Sequence, residues 1–131
     1  MIRRQNYSRK REAILNTLRG TTTHPTAEWV YLQLKSTYPD LSLGTVYRNL
    51  SQFKEDGTII SVGVVNGQER FDGNTAPHSH FICTSCSAVL DIPDDPSDPF
   101  MMEKAACSLG AKVDSCDILF RGTCSACLKK Q

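Results

Sequence analysis

Apolar residues recur at helical spacing in three stretches of the first half of the chain. The pattern predicts a first helix from a Ser8 cap to about Arg19, a second over residues 26–37 and a third over residues 42–56. The apolar stripe of the third helix consists of Leu43, Val46, Leu50 and Phe53. This stripe is expected to face inward, because an amphipathic helix buries its apolar side.

A stretch rich in β-branched residues follows the third helix. It reads TIISVGVVNGQERFD and is interrupted by Asn66-Gly67, a pair that strongly favours a hairpin turn. Three helices followed by a β-hairpin is the order of elements in a winged helix, a variant of the helix-turn-helix. We therefore predict a winged-helix DNA-binding domain over residues 1–72, with its third helix in the major groove.

The outward face of the predicted third helix carries residue types that read base edges. Arginine pairs with guanine, and asparagine or glutamine pairs with adenine. The polar residues expected on this face are Thr45, Arg48, Asn49 and Gln52. A small domain with a merely polar exposed face is the alternative interpretation.

The second half of the chain has shorter elements. GNTAP, residues 73–77, predicts a linker, and residues 78–131 form the second predicted domain. Short strands are expected over residues 80–83 and 88–92, a helix over 99–109 and a strand over 111–120.

Charge is distributed unevenly around a net value of +1. Residues 1–72 carry ten Lys/Arg and seven Asp/Glu, giving +3, whereas residues 73–131 carry five and seven, giving −2. A basic first half suits a polyanionic partner, although a solvated basic helix face is the alternative.

The six cysteines bear on cellular location. No apolar run approaches the roughly 20 residues of a membrane span, and residues 1–15 lack the apolar region of a secretory signal. The default expectation is a cytoplasmic protein, in which cysteines bind metal more often than they form disulfides.

Four of these cysteines form two Cys-x-x-Cys pairs, Cys83 with Cys86 and Cys124 with Cys127. Two such turns can supply the four sulfurs of a closed structural zinc site. Two redox dithiols, or ordinary buried cysteines, are the alternatives. Cys107 and Cys116 lack this spacing and are expected outside the site.

Histidine and aspartate residues indicate a second candidate site. Strand alternation places His78 and His80 on one face, and His24, Asp72 and Asp91 are plausible neighbours. This nitrogen and oxygen set suits Fe²⁺, Mn²⁺ or Zn²⁺. An exposed polar side chain is the alternative for each residue taken singly.

Several stretches together resemble the ferric uptake regulator (Fur) family of bacterial metal-responsive repressors. They are HPTAEWVY at 24–31, SLGTVYRNLSQF at 42–53, RFDG at 70–73, PHSHFICTSCSAVLD at 77–91 and GTCSAC at 122–127. The resemblance implies an α+β fold, with an N-terminal winged-helix DNA-binding domain and a C-terminal α/β dimerisation domain that holds zinc on the four paired cysteines. It also implies a homodimer that binds AT-rich inverted-repeat DNA and is not an enzyme.

Within that family the ligands are most similar to those of the peroxide-sensing branch. His24, Asp72, His78, His80 and Asp91 match its regulatory iron or manganese site, and iron-sensing members typically place glutamate at the position of Asp72. The resemblance implies that peroxide reacts with bound Fe²⁺ and that His24 or His78 gains an oxygen atom. Oxidation of the cysteines with loss of zinc is the competing mechanism.

The resemblance also concerns DNA contacts and rival functions. It implies that Tyr47 meets thymine methyl groups, with Arg48 on a base or a phosphate. Candidate phosphate contacts are Arg3, Arg4, Arg9, Lys10 and Arg11. The alternatives are an iron, zinc or manganese uptake regulator of the same family and, outside it, a non-haem iron enzyme or a zinc-dependent interaction module.

Overall fold

The computed structural model of the chain describes residues 2–76, 78–92 and 99–130, and side chains from residue 8 onward except that of residue 99. The chain divides into two compact units, Met1–Ala76 and Pro77–Gln131. The boundary falls within the predicted linker, of which Pro77 lies outside the described residues.

Unit 1 begins with three helices, α1 (Ile2–Arg19), α2 (Ala27–Leu34) and α3 (Leu43–Glu55). The Thr26 side chain caps α2 by accepting a hydrogen bond from the Trp29 N–H at 3.1 Å. Ser42 caps α3 in the same way, accepting from the Thr45 N–H at 3.1 Å. Each cap satisfies an N–H group that has no partner within its helix, and this fixes where the helix begins.

Two predicted helix limits were wrong. Helix α1 begins at Ile2, so Ser8 lies inside the helix instead of capping it. Residues 2–7 contain neither glycine nor proline, so nothing in their backbone chemistry stops the helix from extending to them. Helix α2 ends at Leu34, before residue 37, and the Lys35 ammonium donates to the carbonyl oxygens of Pro39 at 2.8 Å and Leu41 at 3.0 Å.

Two strands complete unit 1 as an antiparallel hairpin, β1 (Ile60–Val65) and β2 (Gln68–Asp72). Asn66 and Gly67 connect them with φ values of +52° and +77°, the left-handed conformation that a two-residue hairpin turn requires. The predicted hairpin is therefore confirmed, and with it the winged-helix order of elements.

The core of unit 1 lies between the helices and the hairpin. Apolar side chains of all three helices meet there, and Ile59 and Phe71 contribute from the hairpin side. Its helical members are Ile14, Leu18, Ala27, Val30, Val46, Leu50 and Phe53, joined by Leu41 from the connection before α3. The predicted inward stripe of α3 is thus buried at three of its four positions, Leu43 being half-buried.

The described residues of unit 2 form a three-stranded sheet and two helices. Strand β3 (Ser79–Cys83) lies in the centre, antiparallel to β4 (Val89–Ile92) and parallel to β5 (Leu119–Gly122). Helix α4 (Pro99–Leu109) precedes β5, and the short α5 (Ser125–Leu128) follows it.

The predicted strand over residues 111–120 was largely wrong. Only Leu119–Gly122 forms a strand, and residues 111–118 adopt no regular structure. A strand needs a partner, and β3 pairs residues 80–83 with residues 119–122. The pairing with β3 begins at Leu119, so residues 111–118 have no strand partner among the described residues.

Among the described residues, no helix has both the length and the apolar composition that a membrane span requires.

Replacing Leu50 with alanine tests the core of unit 1. Its side chain is 0% exposed, so we expect Leu50→Ala to lower the free energy of unfolding by about 2–5 kcal/mol. The measurement is urea unfolding followed by the fluorescence of Trp29, the single tryptophan, which packs against this core. Leu32→Ala is the matched control, because Leu32 is 68% exposed and should change stability by less than about 1 kcal/mol. Equal losses in the two variants would contradict the described core.

Candidate metal centres

The first candidate centre consists of four cysteines that the sheet of unit 2 brings together. Cys83 ends β3, and a turn closed by the hydrogen bond from the Ser87 N–H to the Cys83 carbonyl at 2.9 Å places Cys86 beside it. Strand β5, parallel to β3, leads to Cys124 at the start of α5, and Cys127 lies one turn further on. The parallel pairing therefore joins two Cys-x-x-Cys turns that are far apart in sequence.

The spacing of the sulfur atoms suits a tetrahedral ion. All four Sγ atoms lie within 4.8 Å of one another, and the Cys83–Cys127 and Cys86–Cys124 Sγ distances are both 3.8 Å. Four zinc–sulfur bonds of about 2.3 Å at tetrahedral angles give sulfur–sulfur distances of about 3.8 Å. A disulfide would need about 2.05 Å. The donor set therefore fits zinc.

Backbone N–H groups prepare one of these sulfurs to be a thiolate. The N–H groups of Cys124 and Cys86 both donate to the Cys83 sulfur at 3.4 Å, and these bonds lower the pKa of Cys83 to about 6. The side chains of Cys124 and Cys86 act in the opposite direction and raise the pKa of Cys127 to about 12. A dication at the centre would favour the thiolate form of all four, since a coordinating thiol loses its proton. Cys107 and Cys116 are exposed and lie outside the group.

Unit 1 holds a buried pair of candidate ligands, His24 and Asp72. His24 lies in the connection between α1 and α2, and Asp72 ends β2. The His24 Nε2 atom is 3.2 Å from the Asp72 Oδ2 atom, and the two residues are 2% and 7% exposed. A buried imidazole beside a carboxylate presents one nitrogen and one oxygen donor at the same place.

Strand β2 also holds the segment that carries His24. The Phe71 N–H donates to the Pro25 carbonyl oxygen at 3.0 Å. The Arg70 guanidinium donates to the carbonyl oxygens of Thr23, at 2.8 Å, and of His24. Sequence analysis did not single out Arg70, although it stands two positions before Asp72 in the RFDG stretch.

Unit 2 holds three further candidate ligands, His78, His80 and Asp91. The register pairs His80 on β3 with Asp91 on β4, so their side chains lie on the same face of the sheet. The Asp91 Oδ1 atom is 3.0 Å from His78 Nε2 and 3.2 Å from His80 Nε2, and the centres of the imidazole rings are 4.3 Å apart. Two imidazoles and a carboxylate suit a divalent metal ion such as Fe²⁺, Mn²⁺ or Zn²⁺.

The outward face of α3 differs from its prediction at one residue. Tyr47, Arg48 and Gln52 are exposed and Thr45 is half-exposed, but Asn49 is 2% exposed. Asn49 stands three positions after Val46 and four before Phe53, which places it within the buried stripe.

The Asn49 side-chain amide satisfies its hydrogen bonds inside the protein. It donates to the Thr45 carbonyl at 2.8 Å, and its oxygen accepts from Arg11 at 3.4 Å. The expectation that Asn49 lies on the free face was therefore wrong.

Two of the side chains expected to contact phosphate have partners within unit 1. Lys10 forms an ion pair with Asp40 at 2.9 Å, and this contact lowers the pKa of Asp40. Arg11 donates to the Gln52 Oε1 atom at 2.8 Å, and its guanidinium lies 4.3 Å from the centre of the Phe53 ring. Arg9 is exposed, and the side chains of residues 3 and 4 lie outside the described residues.

The sequence profile of the Ferric uptake regulator family matches residues 4–121. The chain belongs to this family. The α+β fold of the Fur family is thereby confirmed, and a regulator of that family is the function that this membership supports.

Relatives within the Fur family include peroxide regulators. The chain is 34% identical over 122 residues to the peroxide operon regulator of Bacillus subtilis, covering 93% of this chain and 83% of that one. It is 39% identical over 82 residues to the peroxide-responsive repressor PerR of Staphylococcus aureus, covering 63% and 55%. The crystal structure of a Campylobacter jejuni peroxide stress regulator superposes with a TM-score of 0.78 at 26% identity, covering 94% and 92%.

The four-cysteine centre of this Fur-family chain can be tested by metal analysis. We expect Cys124→Ser to lose the zinc ion held by the cysteines, about one per chain, because three thiolates no longer close the tetrahedron. Unit 2 should then unfold at a lower temperature, since the ion joins the turn after β3 to α5. Cys107→Ser is the matched control and should keep both the zinc and the melting temperature. Zinc retained in Cys124→Ser would contradict the assignment.

Proposed function

We propose that the chain is a metal-dependent transcriptional repressor that binds AT-rich inverted-repeat DNA as a homodimer and senses peroxide through a histidine ligand. The observation that carries the proposal is the division of the nitrogen and oxygen donors between the two units. Unit 1 contributes the His24–Asp72 pair, and unit 2 contributes His78, His80 and Asp91.

One Fe²⁺ or Mn²⁺ ion shared by these five residues would link metal binding to the arrangement of the units. Such an ion binds best when both donor sets face it, so it shifts the population toward that arrangement. In a dimer, this arrangement would set the two α3 helices at the spacing of operator half-sites. Metal binding and DNA binding then favour each other by the same free energy.

The four cysteines have a separate, permanent role in this proposal. Zinc on Cys83, Cys86, Cys124 and Cys127 would hold β3, β5 and α5 together in unit 2. Four sulfur donors suit zinc, whereas the nitrogen and oxygen set also accepts Fe²⁺ or Mn²⁺, so the two centres can hold different metals.

Helix α3 supports the proposed DNA contacts. Tyr47 is 45% exposed and can meet thymine methyl groups, and Arg48 is exposed beside it, donating to the Thr45 hydroxyl at 3.1 Å. With its oxygen held by Arg11, Gln52 presents N–H donors, which suit acceptor atoms on base edges. Buried Asn49 is assigned to support of the helix and not to contact with DNA.

An exposed apolar row on the sheet of unit 2 supports a homodimer. The register places Leu90, Phe81 and Phe120 side by side across β4, β3 and β5. Leu90 is 46% exposed and Phe120 is 43% exposed. Aromatic and aliphatic side chains in one row are typical of a surface that a second subunit covers.

The peroxide response would reside in the histidine ligands. Ferrous iron held by these residues would activate peroxide beside the imidazole ligands; one peroxide oxygen would enter a ring C–H bond of a histidine and the other would leave as water. His24 or His78 would then gain one oxygen atom and lose its strength as a donor. The units would separate from their DNA-binding arrangement, and the operator would be released. A protein with this role acts where the chromosome lies, so we place it in the cytoplasm.

Ligand substitutions test the regulatory centre. In the zinc-loaded protein with Mn²⁺, we expect His24→Ala and Asp91→Ala each to weaken binding to AT-rich inverted-repeat DNA by roughly 10- to 100-fold. Fluorescence anisotropy with and without Mn²⁺ measures the effect. Asp114→Ala is the matched control, because Asp114 is an exposed carboxylate outside the donor sets. If both ligand variants kept metal-dependent DNA binding, the regulatory assignment would be wrong.

Peptide mass spectrometry tests the peroxide response. After peroxide treatment of the iron form, we expect one added oxygen on the peptide containing His24 or His78, together with loss of DNA binding. The manganese form is the control and should show neither change. Oxygen found on the cysteines and never on a histidine would favour thiol oxidation with zinc loss instead.

A further inference from the structure

We infer that Arg70 is a positioning residue for metal binding, because it holds the backbone of residues 23 and 24 in the conformation that presents the His24 imidazole. This inference rests on the proposed function, which makes His24 a ligand of the regulatory ion. Arg70 itself offers no atom to a cation, so its role is exerted through His24.

The first support is a pair of hydrogen bonds from one guanidinium to two successive carbonyls. The Arg70 Nη2 atom donates to the Thr23 oxygen at 2.8 Å, and the Nε atom donates to the His24 oxygen. The donors of a guanidinium have a fixed planar spacing. The two bonds together therefore restrict the orientation of the peptide between Thr23 and His24 more than a single flexible donor could.

The second support is the backbone conformation of His24. Its φ value is +53°, in the left-handed region that is unfavourable for a residue with a Cβ atom. The following residue is Pro25, and a residue before proline is driven toward extended backbone. The backbone of His24 thus adopts a conformation that its own Cβ atom and the following proline both disfavour. Such a conformation persists only when surrounding contacts maintain it.

The third support is that β2 holds this segment at three consecutive carbonyls. Arg70 binds those of Thr23 and His24, and the Phe71 N–H binds that of Pro25 at 3.0 Å. The next residue, Asp72, is the carboxylate beside the His24 ring. One short strand therefore supplies Asp72 as a ligand. The two residues before it, Arg70 and Phe71, orient the second ligand, His24.

Loss of the Arg70 donors would free two of these three carbonyls. His24 could then relax toward an extended backbone, and its imidazole would leave the position beside Asp72. An ion would have to reorder the segment on binding, which lowers affinity, because ordering a loop opposes association. Contacts that orient a ligand typically contribute 10- to 100-fold to metal affinity.

The experiment compares Arg70→Met and Arg70→Lys with Lys54→Met in the zinc-loaded full chain. Lys54→Met is the matched control, because Lys54 is a cation that binds Glu69 on the same strand at 3.0 Å without reaching residues 23–25. Mn²⁺ affinity is measured by titration well below the unfolding temperature of each variant. The visible spectrum of bound Co²⁺ reports the geometry of the donors, and DNA affinity is measured at saturating Mn²⁺.

We expect Arg70→Met to weaken Mn²⁺ binding at least tenfold and to change the Co²⁺ spectrum. Arg70→Lys should recover part of the Mn²⁺ affinity, since an ammonium can donate to one carbonyl but cannot bind both in the planar geometry of a guanidinium. Lys54→Met should stay within about twofold of the unsubstituted chain. DNA affinity of the Arg70 variants should return once Mn²⁺ is saturating. If Arg70→Met does not fold, Arg70→Lys is compared with Lys54→Met instead.

Two results would overturn the inference while leaving the proposed function intact. A lower melting temperature with unchanged Mn²⁺ affinity would show that Arg70 only stabilises the fold. Unchanged Mn²⁺ affinity with weaker DNA binding and a shallower salt dependence would identify Arg70 as a phosphate contact. By contrast, unchanged Mn²⁺ affinity in His24→Ala would refute the proposed function and the inference together.

Discussion

The hydrogen bonds that join β3 to a strand on each side determine where the donors of unit 2 lie. On one side, the antiparallel register with β4 places His80 opposite Asp91. On the other, the parallel pairing with β5 leads Cys124 and Cys127 to Cys83. His80 and Cys83 are three residues apart on one strand, about 10 Å at the rise of a β-strand. A shift of β3 by one residue would turn its imidazole to the other face and misplace Cys83 as well.

Strand β2 has the corresponding role in unit 1. It ends with the candidate ligand Asp72, and the residues immediately before it bind the segment that carries His24. The same strand packs Phe71 into the core of the helices. The position of two candidate ligands is therefore tied to the position of the hairpin, which in a winged helix lies beside the DNA. Under the proposed function, this connection would couple the metal ligands directly to the hairpin.

Much of this arrangement could be predicted from local patterns. The Cys-x-x-Cys pairs, the apolar stripe of α3 and the Asn66-Gly67 turn each encode their structure within a few residues, and the structure has all three. Asn49 was predicted wrongly because its polar side chain suggests an outward position, whereas helical geometry places it between Val46 and Phe53 on the buried side.

Other features depend on contacts between distant parts of the chain. The strand predicted over residues 111–120 was largely wrong because the residues of a segment do not reveal which of them a neighbouring strand will pair with. Arg70 binds His24, which lies 46 residues away in the sequence. Arg11 binds Gln52, which lies 41 residues away. No local pattern indicates such contacts. The ion shared by both units stays a prediction, whereas the four-cysteine centre could be anticipated from spacing alone.

The parallel pairing of β3 with β5 also has a consequence for how the protein is made. Cys83 and Cys127 are 44 residues apart, and β3 cannot acquire its parallel neighbour until the ribosome has delivered the residues between them. The helices and the hairpin of unit 1 precede these residues in synthesis, so they can acquire structure first. The nascent chain must meanwhile keep Cys83 and Cys86 reduced. The four sulfurs can therefore close around one zinc ion only after Cys124 and Cys127 have been made.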